Sequence, residues 1–191
     1  IQAWLFEEDI PSPDHFNQSV LLRAETPLDE HVLREVIARL VAHHEGLRMR
    51  LVRRDDGQWR QAPVASDDSA GILWVRDACS AEDILHIGEA AQRSLSLQDG
   101  PVMRVVYLRM ADQSSRLLIV IHHLFVDGVS WRVLLEEMQG LYGALCGGEP
   151  YALPQASAIR AHLPDLGGRR PLLGIRLHAA CADERDPAAV R

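Results

Sequence analysis

Apolar residues recur along this chain in two rhythms, one near the helical repeat and one of alternate positions, and their succession lays out the elements. Val32, Leu33, Val36, Ile37 and Leu40 fall on one helical face. Pro27-Leu28-Asp29 precedes them, and a carboxylate there suits the positive end of the helix dipole. This predicts a helix running to His43 or His44. Upstream, Ile1 to Phe6 reads as a short helix or an extended arm, Pro11 to Asp14 as a loop, and His15 to Ala24 as a strand. Leu47 to Val52 alternates apolar residues with arginine, the mark of a half-buried strand. Asp55-Asp56-Gly57 is a turn, and Gln58 to Val64 returns as the second strand of a hairpin.

Ile72 to Val75 is a further short strand. Ser80-Ala81-Glu82-Asp83 has the pattern of a helix N-cap and opens a helix to Leu95. A turn at Asp99-Gly100-Pro101 leads to a strand over Val102 to Arg109. Another strand starts at Ser114-Ser115. Its core, Leu117 to Ile121, is an unbroken apolar run, as suits a strand covered on both faces. Val129 to Leu145 is an amphipathic helix carrying Val133, Leu134, Leu135, Met138, Leu141 and Tyr142. Helices interleaved with strands predict an α/β chain, an α+β two-layer lobe with a mixed sheet flanked by helices. The texture changes after Pro154. The folded unit is expected over residues 1–154, and residues 155–191 form an atypical tail, disordered or truncated, with one apolar island at Pro171 to Ile175.

Composition narrows the function. Nearly half the residues are hydrophobic and a quarter are charged, which excludes a disordered tail. The net charge is −7 and no basic stripe appears, so nucleic acid is not an expected partner. No apolar run is long enough to span a bilayer, and no signal sequence opens the chain. Cys79, Cys146 and Cys181 are odd in number and irregularly spaced, which argues against a disulfide framework and for a reducing, cytoplasmic setting. The first residue is not methionine, as expected of a segment of something longer.

The chemistry gathers at His122-His123-Leu124-Phe125-Val126-Asp127-Gly128. A buried strand feeds straight into the two histidines, and a helix follows the glycine. Strand ends are where α/β proteins build sites. Adjacent histidines on a continuing strand point to opposite sides. One can face a channel while the other packs inward. Histidine is the side chain best suited to proton transfer near neutral pH. A buried Asp127 needs a cationic partner, for which Arg48 is the candidate, with Arg50 on the same strand face. Gly128 is expected to permit a turn that other residues resist. A metal set is not expected, because no third ligand stands at ligand spacing. Ser130 lies in no G-x-S-x-G elbow, so a hydrolase nucleophile is not indicated. A second pair, His43-His44, sits at a helix end and reads as structural.

The stretch His122 to Tyr142, HHLFVDGVSWRVLLEEMQGLY, resembles the H-H-x-x-x-D-G region of the condensation superfamily of nonribosomal peptide synthetases. Val129-Ser130-Trp131-Arg132 most resembles the epimerization branch. Ile1 to Phe6, His15 to Ser19, Leu40 to Leu51 and Leu97 to Arg104 are similar to further family stretches, in order. The resemblance implies a chloramphenicol-acetyltransferase-like lobe, the N-terminal one of two that face across a channel. The second lobe, with its glutamate, has no counterpart in this sequence and is an expected partner. No cofactor is expected to bind directly. The 4'-phosphopantetheine arm of a peptidyl carrier protein is expected to enter the channel. By resemblance, His123 faces the substrate and His122 supports it. Asp127 pairs with Arg48, Gly128 leaves room for the arm, and Ser130 and Trp131 contact the arm or its substrate. The implied reaction is removal and return of the α-proton of an aminoacyl or peptidyl thioester. Amide formation on the same fold, or non-catalytic docking of a carrier protein, are the alternatives.

Overall fold

The computed structural model describes residues 13–24, 26–53, 59–64, 71–154 and 176–178. After a 3-10 turn at Pro13–His15 come β1 (Asn17–Ala24), α1 (Glu30–His43), β2 (Met49–Arg53), β3 (Trp59–Pro63), β4 (Leu73–Ala78), α2 (Ala81–Arg93), β5 (Met103–Met110), β6 (Ser115–His122), α3 (Gly128–Gly147) and β7 (Arg176–His178). The helices start where their caps dictate. Asp29 accepts from the backbone N–H groups of His31 and Val32, at 2.8 and 3.1 Å. Ser80 and Asp83 form a reciprocal capping box. At the far end of α3, Gly148 takes a left-handed φ of 68°, which lets its N–H and that of Glu149 turn back onto the last carbonyls.

Five strands form one mixed sheet in the order β4-β5-β6-β1-β7. β4 and β5 run parallel, with α2 as the crossover between them, and the remaining pairs are antiparallel. β2 and β3 make a separate hairpin. The residues of β5 and β6 alternate between two cores. Val105, Tyr107, Leu117, Ile119 and Ile121 join Leu33, Ile37 and Leu40 of α1 and Leu134 and Leu141 of α3. Val106, Leu108, Leu118 and Val120 join Ala91 of α2 and Leu95 beyond it. The apolar run of β6 is thus buried on both faces, as its sequence implies.

The α/β class and the mixed sheet flanked by helices stand as expected. α1 and α3 cover one face of the sheet and α2 the other, because β5 and β6 are apolar at successive positions. The expected strand at Leu47 begins only at Met49, because Glu45–Arg48 is a 3-10 turn. Arg48 therefore leaves the strand face that alternation assigns to it beside Arg50. Part of the tail also enters the sheet, for Arg176–His178 pairs antiparallel with Leu21–Arg23. The first six residues, the turn at Asp55 to Gly57 and the whole island at Pro171 to Ile175 lie outside the described residues.

Candidate active site

The site forms where β6 stops. His122 is the last residue of the strand, opposite Asn17 of β1, and is 1 % exposed. Its N–H bonds the carbonyl of Val102, and its Nδ1 accepts from the N–H of Leu124 at 3.2 Å. A ring held this way is part of the wall.

One residue on, the His123 ring is half-buried. It lies stacked on Phe16, centroids 5.0 Å apart, while its N–H bonds the Phe16 carbonyl. Nδ1 lies 2.8 Å from the carbonyl oxygen of Val126, which can only accept, so Nδ1 carries the proton. Nε2 lies 3.2 Å from the side-chain nitrogen of Gln18. The orientation of that amide is fixed from its other end. The indole N–H of Trp131, which can only donate, bonds Gln18 Oε1 at 2.9 Å. The Gln18 NH2 is thereby turned towards His123, and Nε2 receives it through its lone pair. The chain Trp131–Gln18–His123–Val126 sets one tautomer: a neutral imidazole with its basic nitrogen facing Gln18.

Asp127 is the N-cap of α3. Its Oδ1 accepts from the N–H of Ser130 at 2.7 Å and from the Ser130 hydroxyl at 2.6 Å. The hydroxyl and N–H of Ser130, with a smaller contribution from the N–H of Val129, hold the Asp127 carboxyl below the usual carboxylate range. The pairing of Asp127 with Arg48 is not made. Arg48 donates to the carbonyls of Val41 and Val64, at 3.1 and 2.9 Å. The reason is local. Asp127 is exposed and needs no buried cation, and the helix terminus at its side supplies donors without further ordering of the chain.

Two further expectations change. Ser130 is 2 % exposed and its hydroxyl donates to the capping carboxylate of Asp127, so it is committed to the helix start and does not present itself to a thioester arm. Trp131 reaches His123 through Gln18. Gly128 is no left-handed hinge; it opens α3 with no left-handed φ. A Cβ built there meets no atom within 4 Å, so the space above it is open. Beside it Val129 and Val133 are 41 % and 37 % exposed and present apolar surface. The site residues that sequence reading missed are Gln18, Phe16 and the Val126 carbonyl. His15 to Ser19 carried a family likeness but no hint of whom Gln18 would meet, 105 residues away.

The chain matches the family described as Condensation domain over residues 1–162. It belongs to that family. Among curated proteins of the family it is 46 % identical to a linear gramicidin synthase protein of Brevibacillus parabrevis over 161 residues, 81 % of this chain and 3 % of that one. It is 36 % identical to chondramide synthase cmdD of Chondromyces crocatus, over 81 % of this chain and 4 % of that one. Among solved structures, it superposes on the epimerization domain from the third module of tyrocidine synthetase B with a TM-score of 0.75 and 32 % identity, covering 81 % of this chain and 36 % of that one. The first condensation domain of the CDA synthetase shares the fold, with a TM-score of 0.66 at 22 % identity over 82 % of this chain and 39 % of that one. This condensation-family chain thus spans little more than a third of the solved domains and a few per cent of the synthases it matches. Among its described residues no helix is long and apolar enough to cross a membrane.

Proposed function

We propose that this chain is the N-terminal lobe of an epimerization domain of a nonribosomal peptide synthetase, and that His123 moves the α-proton of a carrier-bound aminoacyl or peptidyl thioester. The observation that carries the reading is the tautomer of His123. With its proton on Nδ1 and tied to Val126, the imidazole offers Nε2 as a base. The likeness to a solved epimerization domain at 32 % identity supports this branch over amide formation.

In this scheme the 4'-phosphopantetheine arm of a peptidyl carrier protein passes over Gly128 and along Val129 and Val133. The thioester acidifies the neighbouring C–H. Nε2 of His123 accepts that proton, the carbanion is held as its enolate, and a proton returns to the opposite face of the carbon. The Gln18 amide must give up Nε2 for the proton to arrive, and its N–H is then free for the enolate oxygen. His122 and Asp127 position the loop. The second proton-transfer group is assigned to the facing lobe, a carboxylic side chain beyond this segment.

The test is α-proton exchange in deuterated buffer with the two-lobed parent domain and a carrier-bound aminoacyl thioester. His123→Ala is expected to slow exchange by about 100-fold or more. Undiminished exchange rejects the role of His123. Amide product from donor and acceptor thioesters, with no exchange, assigns the chain to the condensing branch instead.

A further inference from the structure

Away from the strand-end site, α1 and α3 bring together a second set of chemically active side chains. His43 is the last residue of α1. His44 follows as the C-cap with φ −94° and ψ 101°, an extended geometry that swings its ring away from the helical path. The two rings meet edge to face with centroids 4.9 Å apart. Glu137, on α3, reaches His44 Nε2 with its Oε2 at 2.5 Å, and both side chains are buried. His43 Nε2 is buried too, and no donor or acceptor among the described residues satisfies it. One ligand atom from each of His43, His44 and Glu137 lies within 4.8 Å of the others.

We propose that His43, His44 and Glu137 form a binding site for a divalent first-row transition ion of the zinc class, joining α1 to α3. The donor set decides the class. Two imidazoles and one carboxylate suit zinc, cobalt, nickel or copper, whereas calcium and magnesium require oxygen shells. The geometry is near what such an ion needs. Bonds of about 2.0–2.2 Å in a tetrahedron place ligand atoms roughly 3.3–3.6 Å apart. The close His44–Glu137 pair would open slightly and the outer distance would shorten, by side-chain rotation alone. The ion would also satisfy the orphaned His43 nitrogen, whose burial otherwise costs free energy. A tetrahedral ion would take its fourth ligand from outside this set. His43 lines a surface cleft of about 360 Å³ with Arg39, Leu141, Tyr151 and Leu153. Arg39, the cation of that lining, is ion-paired with Glu35 at 2.7 Å.

The site is independent of the proton-transfer chemistry, since it faces the α1–α3 seam and not Gly128. Its consequence is mechanical: the ion would fix α3, the helix that Asp127 caps. The experiment uses the chain stripped with chelator and titrated with Zn²⁺ against a chromophoric competitor, with Co²⁺ absorption as a second readout. The expected result is one ion per chain with a Kd on the order of 1 µM or tighter, and a rise in melting temperature on binding. The half-buried His43 carries the test, because substitutions at His44 and Glu137 endanger folding. His43→Ala is expected to fold, to bind at least about tenfold more weakly, and to lose the tetrahedral Co²⁺ spectrum. Absence of binding in this range, or equal binding and equal thermal shift in His43→Ala, overturns the proposal.

Discussion

Trp131 donates its indole N–H to the same Gln18 side chain whose amide reaches Nε2 of His123. Three residues from distant parts of the chain thus decide which nitrogen of one imidazole is basic. Trp131→Phe keeps an aromatic ring and deletes the donor, so the Gln18 amide is free to flip. Losing one neutral hydrogen bond of about 0.5–1.5 kcal/mol corresponds to roughly a 2- to 10-fold slower α-proton exchange in the parent domain. Folding, followed by melting temperature, should change little.

The two adjacent histidines are expected to separate cleanly by experiment. His122 is buried and holds the Leu124 N–H, so His122→Ala leaves both a void and an unsatisfied donor. A loss of about 2–4 kcal/mol in urea unfolding is expected. His123→Ala removes a half-buried ring and should cost about 1 kcal/mol or less while abolishing exchange. Equal destabilisation by both variants would contradict the division into wall and base.

Asp127 acts as a helix cap, which makes a prediction that ion pairing does not. Asp127→Ala should lose about 1 kcal/mol of stability. Asp127→Asn keeps a side-chain acceptor and should lose much less at acidic pH. The sign follows from the lowered carboxyl value: the ionised form is the better acceptor, so its stabilisation is present above the ordinary aspartate value near 3.9 and fades as pH falls through the lowered folded value. The advantage of wild type over Asp127→Asn should therefore hold at neutral pH and vanish under strong acid. Arg48→Met, in contrast, should leave this pH dependence unchanged.

Gly100 adopts a φ of 75°, and a Cβ on it would collide with the guanidinium of buried Arg50. Gly100→Ala combines backbone strain with a clash against a side chain that packs beneath the turn. A destabilisation of about 1–3 kcal/mol is expected, read as a fall in melting temperature.

Much of the fold is legible because it follows local rules. The face of α1, the caps at Asp29 and Ser80 and the buried run of β6 are each dictated by residues within one or two turns of one another. Arg48 departs from expectation for a local reason as well: alternation with apolar residues suggests a strand, but the chain turns through a 3-10 segment before β2 begins. The site is legible as a motif and not as a network. His122 to Gly128 announces itself, yet Gln18 stands 105 residues from His123 and 113 from Trp131, and Glu137 stands 93 from His44. No periodicity links such positions. Only the antiparallel pairing of β1 with β6 and the packing of α1 on α3 bring them together.

That pairing carries a further consequence. Asn17 faces His122 across the β1–β6 ladder, and Gln18 faces Ile121. A slip of a single residue between these strands would turn buried His122 outwards and half-buried His123 towards the core. The apolar side chains on both faces of β6 make such a slip costly, because each would trade one core for the other. Which of the two histidines lies half-exposed is therefore set less by the loop that follows them than by the strand alignment far beneath it.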